Sequence, residues 1–301
     1  MKSNPLNTIE LFRTVSLAAL LAMSGSAGAQ VASPKTMELA PHRAVYDLSL
    51  DQSGAGSNVT DIRGKLIYDF TGSACAGYTL NTRLLTQIFD REGKPSVTDI
   101  RSESFEQAGG ERFTFNTSQY LNNQLSEATK GIALRKSSNK GALLVELEKP
   151  KKGTVKLASN VVFPTQHSLE ILKAAQLGES RLQANLYDGS EKGVKIYETS
   201  TVIGSPLSRD ENAKLPAVKN SNALNDLRAW PIMISYYDAK QSKDGLPTYE
   251  VSFRMYENGV SRKLRLDYGT FSLAGELASI EFLTPKSCGR SRSASTPKQR
   301  G

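Results

Sequence analysis

The chain has 301 residues, 39% of them hydrophobic and 23% charged, with a formal net charge of +8. Lys2, Glu10 and Arg13 near the start and Arg290, Arg292, Lys298 and Arg300 after the last cysteine hold most of that charge, leaving only +3 over residues 30–288. So weakly basic a body, with no stripe of Lys and Arg interleaved with aromatics, excludes a nucleic-acid binder. No stretch is long and apolar enough to cross a bilayer as a helix.

The first residues read as an export signal. Basic Lys2 and Arg13 precede an apolar run at 15–23, which ends in the small residues Ala27, Gly28 and Ala29. That order of charge, short apolar core and A-x-A site predicts cleavage after Ala29 and delivery to the periplasm. The run is about half the roughly 20 residues a spanning helix needs, so the mature chain is expected to be soluble. No cysteine lies near the cut to carry a lipid anchor.

From about residue 43 the chain alternates with period two. Strands are expected over 43–50, around 62–70, and over 78–89, 97–106, 111–120, 124–135 and 142–148. Ile62, Gly64, Leu66, Tyr68 and Phe70 share one face, with Arg63, Lys65 and Asp69 on the other. Turns fall at 90–93 and 121–124.

Pro164 and Thr165 open one helix, over about 165–177, with Thr165 expected as its N-cap. Leu169, Ile171, Leu172 and Ala175 form an apolar stripe about 160° wide, and Gly178 stops the helix. Strands 181–187 and 194–203 follow, joined by a turn at 188–193. The segment 204–221 is polar and carries Pro206 and Pro216; a loop of that length is often functional. A short helical turn is expected at 222–228, before Trp230 and Pro231.

The C-terminal third is an antiparallel meander. Tyr249, Val251, Phe253 and Met255 alternate with polar residues, as do Val260, Leu264, Leu266 and Tyr268, and a third strand covers 271–283. Asn258-Gly259 predicts a type I′ hairpin, which needs two positive φ values. The non-core faces of the best strands carry Arg, Lys, Glu and Asp, which excludes an outer-membrane barrel. The tail 289–301 is small, polar and basic and is expected to be disordered.

The chain has two cysteines, Cys75 and Cys288. In an oxidising compartment two cysteines pair, with two free thiols as the alternative. The only histidines, His42 and His167, are too few for a zinc site once the thiols are paired, so both are expected to be structural. There is no nucleophile elbow, phosphate loop, dinucleotide fingerprint or EF-hand loop. No catalytic residue, metal or cofactor is therefore expected.

Several stretches taken together carry a resemblance. They are 40–50 (APHRAVYDLSL), 61–68 (DIRGKLIY), 72–78 (GSACAGY), 163–167 (FPTQH), 187–190 (YDGS), 230–231 (WP), 256–262 (YENGVSR) and 266–269 (LDYG). In this order they resemble the EipB family of periplasmic cell-envelope integrity proteins, over about 40–288. The resemblance implies a mainly β fold: one large, spirally curved antiparallel sheet, a β-spiral or half-open barrel similar to periplasmic lipoprotein carriers, with one packed helix. The two family cysteines fall on Cys75 and Cys288, and the family supplies no catalytic residues to carry over.

The expected organisation is thus a signal peptide at 1–29, a single β domain at 30–288 and a tail at 289–301. The expected function is non-catalytic support of envelope integrity in the periplasm of a Gram-negative bacterium, by binding an apolar or amphipathic envelope ligand or a protein partner. An envelope hydrolase acting on glycan or lipid is the alternative. A carrier-like mechanism would place the ligand between helix and sheet, with 204–221 and Trp230 as a movable lid; a passive loop over a filled core is the competing expectation.

Overall fold

The computed structural model describes residues 37–135, 142–208, 211, 215–216, 218–238 and 245–288. The expected signal peptide, the tail and part of the 204–221 loop lie outside the described residues. All described residues belong to one compact unit, which starts at Thr36.

Among the described residues fifteen strands form a single sheet. They are β1 (His42–Ser53), β2 (Val59–Ser73), β3 (Gly77–Asp90), β4 (Pro95–Glu106), β5 (Arg112–Leu121), β6 (Gln124–Leu134), β7 (Leu143–Lys149), β8 (Gly153–Leu157), β9 (Val161–Val162), β10 (Arg181–Leu186), β11 (Tyr197–Ile203), β12 (Ala229–Tyr237), β13 (Tyr249–Tyr256), β14 (Ser261–Asp267) and β15 (Phe271–Phe282). The helix α1 (Pro164–Leu177) sits between β9 and β10, and short 3₁₀ turns occupy Glu191–Gly193 and Ser221–Leu224. The spatial order is β8-β7-β6-β5-β4-β3-β2-β1-β15-β14-β13-β12-β11-β10-β9, open between β8 and β9. Every pairing is antiparallel except β9 with β10. That pair is parallel because the α1 crossover returns the chain in the direction it left, so the sheet is mixed rather than wholly antiparallel.

Hairpin chemistry holds at one site and differs from expectation at another. Asn122 and Asn123 both take positive φ, 50° and 66°, so the I′ turn joins β5 to β6. At 257–260 only Gly259 does, at φ 86°. There Gly259 N–H donates to Tyr256 O, and Val260 N–H to the Asn258 side-chain oxygen. The asparagine serves as an acceptor, and the turn needs one left-handed residue rather than two.

Strands β8, β9 and β12 were not expected. The first two are short, and Pro231 argues against a strand through 229–237. In the structure Pro231 lies one place beyond the β11 register, which ends at Ile203 opposite Ile232. Its carbonyl still accepts from Gly204 N–H at 2.8 Å.

The helix is held differently from its expected cap. It starts at Pro164, a favoured first position, and Phe163 is its N-cap. The Gln166 side-chain oxygen accepts Phe163 N–H at 3.3 Å. The free N–H groups of Thr165 and Gln166 donate to the carboxylate of Glu106, at the end of β4, at 2.7 and 3.0 Å. Thr165 is therefore a donor to a remote cap, not the cap. Gly178, at φ 76°, closes the other end as expected. Ile171, Leu172, Ala174 and Ala175 are buried against Phe70, Tyr78, Ile203, Trp230, Ile232, Ile234 and Met255.

The sheet wraps round on itself. The connection from β10 to β11 is not a tight hairpin turn: it reaches across to β5 and β7. Tyr187 is fully buried against Phe113, Phe115 and Phe163, and its hydroxyl donates to Gly193 O at 2.9 Å. Gly189 (φ 76°) lies on the Phe115 ring and Gly193 (φ 74°) on Leu147, both too close to admit a Cβ. Gly189→Ala combines a strained φ with a clash against a packed ring. It is expected to cost about 2 kcal/mol or more, measured as a fall in the urea midpoint.

Candidate functional site

Cys75, in the turn between β2 and β3, forms a disulfide with Cys288, the Cα atoms 5.7 Å apart. Lys286 N–H donates to Gly72 O beside it. The bond thus ties the segment after β15 to the β2–β3 turn.

The histidines sit in packing positions. His42 Nδ1 lies 2.7 Å from Ala40 O, and the ring stacks on Tyr68 at 5.4 Å. His167 Nε2 lies 3.3 Å from Thr199 Oγ1 under the helix. Burial lowers both, His167 to about 4.

The space between helix and sheet is filled. The pocket left there, lined by Leu39, His42, Tyr68, Phe70, Leu80 and Pro164 among others, has a volume of about 60 Å³. Small-molecule sites run from about 300 Å³ upward, so a ligand between α1 and the sheet is not supported. The lid expectation also changes. Trp230 is 2% exposed and belongs to the core under α1. The described parts of the 204–221 loop are pinned. Leu207 N–H donates to Ala229 O, Arg262 to Pro216 O, and Ile280 N–H to Lys219 O, while Val218 is buried. Removing 206–218 would expose this packing rather than free a gate.

Past the helix, the inner face becomes aromatic and hydroxylated instead of aliphatic. Along β11–β13 the alternation that places Ile203, Ile232 and Phe253 inward continues to Thr199, Tyr236 and Tyr249, which stand opposite one another. Tyr236 and Tyr249 stack at 4.4 Å, and Tyr197 meets both edge-on at 5.8 Å. Tyr268 and Phe271 extend the file at 6.2 and 5.3 Å.

The β10–β11 connection brings charge to this file. Lys195 Nζ lies 4.5 Å over the Tyr197 ring and 3.2 Å from Asp238. Burial pushes the Asp188 carboxyl up, and burial first, with the nearby Asp188 charge behind it, raises the Tyr236 and Tyr249 phenols.

A second register row runs along the inner face of β2–β6. Tyr68 stands opposite Thr82, Thr82 opposite Ser102, Ser102 opposite Thr117 and Thr117 opposite Thr129, across β2–β6. Beside it runs Leu66, Leu84, Ile100 and Gln119. Except for Thr129, which is buried, these inward side chains are only half-buried.

Tyr68, Tyr236 and Tyr249 are strongly desolvated yet keep accessible surface. Together with the half-buried row on β2–β6, they leave accessible surface on the inner face of the sheet, hereafter the recess. A larger open groove of about 610 Å³ lies at β10–β12, lined by Asn160, Gln183, Asn185 and Glu198. It faces bulk water, where polar contacts discriminate weakly, so the recess is the stronger site.

Sequence alternation placed Tyr249 and Tyr268 on an inward face. It missed Tyr236 with β12, and the long reach of 187–196 concealed Asp188 and Lys195. Among the described residues no cluster of three or more His, Cys, Asp or Glu could hold a metal ion.

The EipB-like family matches residues 33–284. The cell envelope integrity protein EipB of Brucella abortus (strain 2308) is 34% identical over 274 residues, covering 91% of this chain and 94% of that protein. The crystal structure of a beta-barrel-like protein of domain of unknown function DUF1849 from Brucella abortus superposes with a TM-score of 0.73. It is 33% identical and covers 82% of this chain and 99% of its own. Sequence and fold agree over nearly the whole length, and the chain belongs to the EipB-like family.

Proposed function

We propose that this chain supports cell-envelope integrity from the periplasm as a binding protein rather than a catalyst, and that its ligand enters the tyrosine-lined recess. The name and near full-length match of the Brucella protein support the envelope role. The recess carries the binding role: its phenols are desolvated but retain free surface, which is costly unless something occupies it. The export signal at 1–29 belongs to the same proposal, with a mature chain beginning at Gln30.

Deleting the gene in its own host is expected to sensitise cells to detergent and chelator. Wild-type chain restores resistance, and a chain with Tyr236→Ala and Tyr249→Ala, folded by circular dichroism, does not. A deletion strain as resistant as its parent would overturn the envelope role. Full rescue by the double variant would overturn the recess as its seat. Intact mass of the exported protein retaining Met1 would overturn the processing.

A further inference from the structure

We infer that the recess takes a saccharide rather than an acyl chain; this rests on the recess being the ligand site. The two parts of this inner face differ in chemistry. The Tyr236–Tyr249 pair, with Tyr197 across its edge, offers aromatic plates. The inward row on β2–β6 offers five hydroxyls in register, from Tyr68, Thr82, Ser102, Thr117 and Thr129.

Within that row only Ser102 and Thr117 satisfy each other, at 2.9 Å. The hydroxyls of Tyr68, Thr82 and Thr129 have no protein hydrogen bond among the described residues, and neither do those of Tyr236 and Tyr249. Nor are they sealed away: the only fully buried unpartnered side-chain oxygens among the described residues are Ser190 Oγ and Thr201 Oγ1. The free hydroxyls therefore point into accessible space.

An acyl chain would leave every one of them unpaired in a dry cavity, which a buried hydroxyl resists. A pyranose ring has the opposite character. Its C–H face lies flat on an aromatic plate, and its rim of hydroxyls both donates and accepts, as serine, threonine and tyrosine do. Leu66, Leu84 and Ile100, next to the row, suit the apolar faces of the same rings. Asp188, Lys195 and the Gln119 amide add groups that would bond an amide or amino substituent on the sugar.

The test uses triacetylchitotriose and maltotriose as saccharide probes and sodium laurate as the acyl probe, read by calorimetry and by saturation-transfer NMR on the full-length exported protein. At least one trisaccharide is expected to bind, with saturation transfer strongest to ring protons. Tyr236→Leu removes a plate, and the nearly isosteric Thr82→Val removes a free hydroxyl. Each is expected to weaken saccharide binding by about tenfold, with thermal unfolding used to confirm that the fold is intact. Laurate binding without saccharide binding, lost on Tyr236→Leu, would overturn the saccharide inference and leave the recess as the ligand site. No binding of any probe, or saccharide binding indifferent to both substitutions, would overturn the inference and the recess together.

Discussion

Cys75→Ser or Cys288→Ser is expected to lower stability by up to about 5 kcal/mol, the largest effect of any single change considered. The bond closes a loop of 213 residues. In the chain-entropy account the cost of closing so long a loop falls on the unfolded state, so the bond destabilises that state more than it alters the native one. Typical domains are stable by only about 5–15 kcal/mol. Either variant should therefore unfold at much lower urea, with the folded circular dichroism spectrum unchanged. The double variant should match the single ones, because one bond is lost in each. Two reactive thiols in the native unreduced protein, or a double variant clearly weaker than both singles, would contradict this.

The second expected result concerns His167, in the first turn of α1, and Glu106, which accepts from that turn, because the two oppose each other in pH. Burial is the first cause of both shifts. It raises Glu106 to about 7 against an ordinary 4.5, even though the N–H groups of Thr165 and Gln166 pull the other way. It lowers His167 to about 4 against 6.5. A raised carboxyl contributes stability that is complete below about pH 4.5 and is lost as pH rises to about 7. A lowered histidine contributes stability that is complete above about pH 6.5 and is lost as pH falls toward about 4. Each swing is roughly 3 kcal/mol, and over the shared window they offset. His42 acts in the sense of His167, and Asp188 in the sense of Glu106.

Wild-type stability should therefore vary little across this window on account of these groups. Glu106→Gln should uncover a stability that rises with pH, and His167→Asn one that falls. Glu106→Ala strips two helix N–H groups of their acceptor and is expected to cost about 3 kcal/mol at neutral pH. Parallel slopes in the Gln and Asn variants would sink the account.

Much of the fold was legible because alternation is a local signal. The strands around 62–70, 249–256 and 271–282 follow directly from side chains that switch faces at each residue. What sequence concealed was relational. A carboxylate on β4 caps a helix many strands away, so Thr165 looked like the cap by proximity alone. Pro231 concealed β12, because its fitness for a strand depends on where β11 ends. The 188–193 stretch read as a turn, since nothing in it says that Gly189 and Gly193 must lie against Phe115 and Leu147. The disulfide partners were countable, but the tyrosine file depends on register between strands, which one strand's pattern does not contain.

Strand order has one more consequence. Spatial neighbours are neighbours in sequence throughout, except that β1 pairs with β15, and the open seam lies between β8 and β9, themselves consecutive in the chain. The described ends are thus stitched together, while the sheet is cut at a connection of only a few residues, 158–160. Such a ring can be circularly permuted: joining the ends of the described body and opening the chain near Ser159 would sever no ladder between strands. The permuted protein would turn the pairing of β1 with β15, the one long-range step of the native order, into a local hairpin, and by loop-closure entropy it should fold faster than the natural chain.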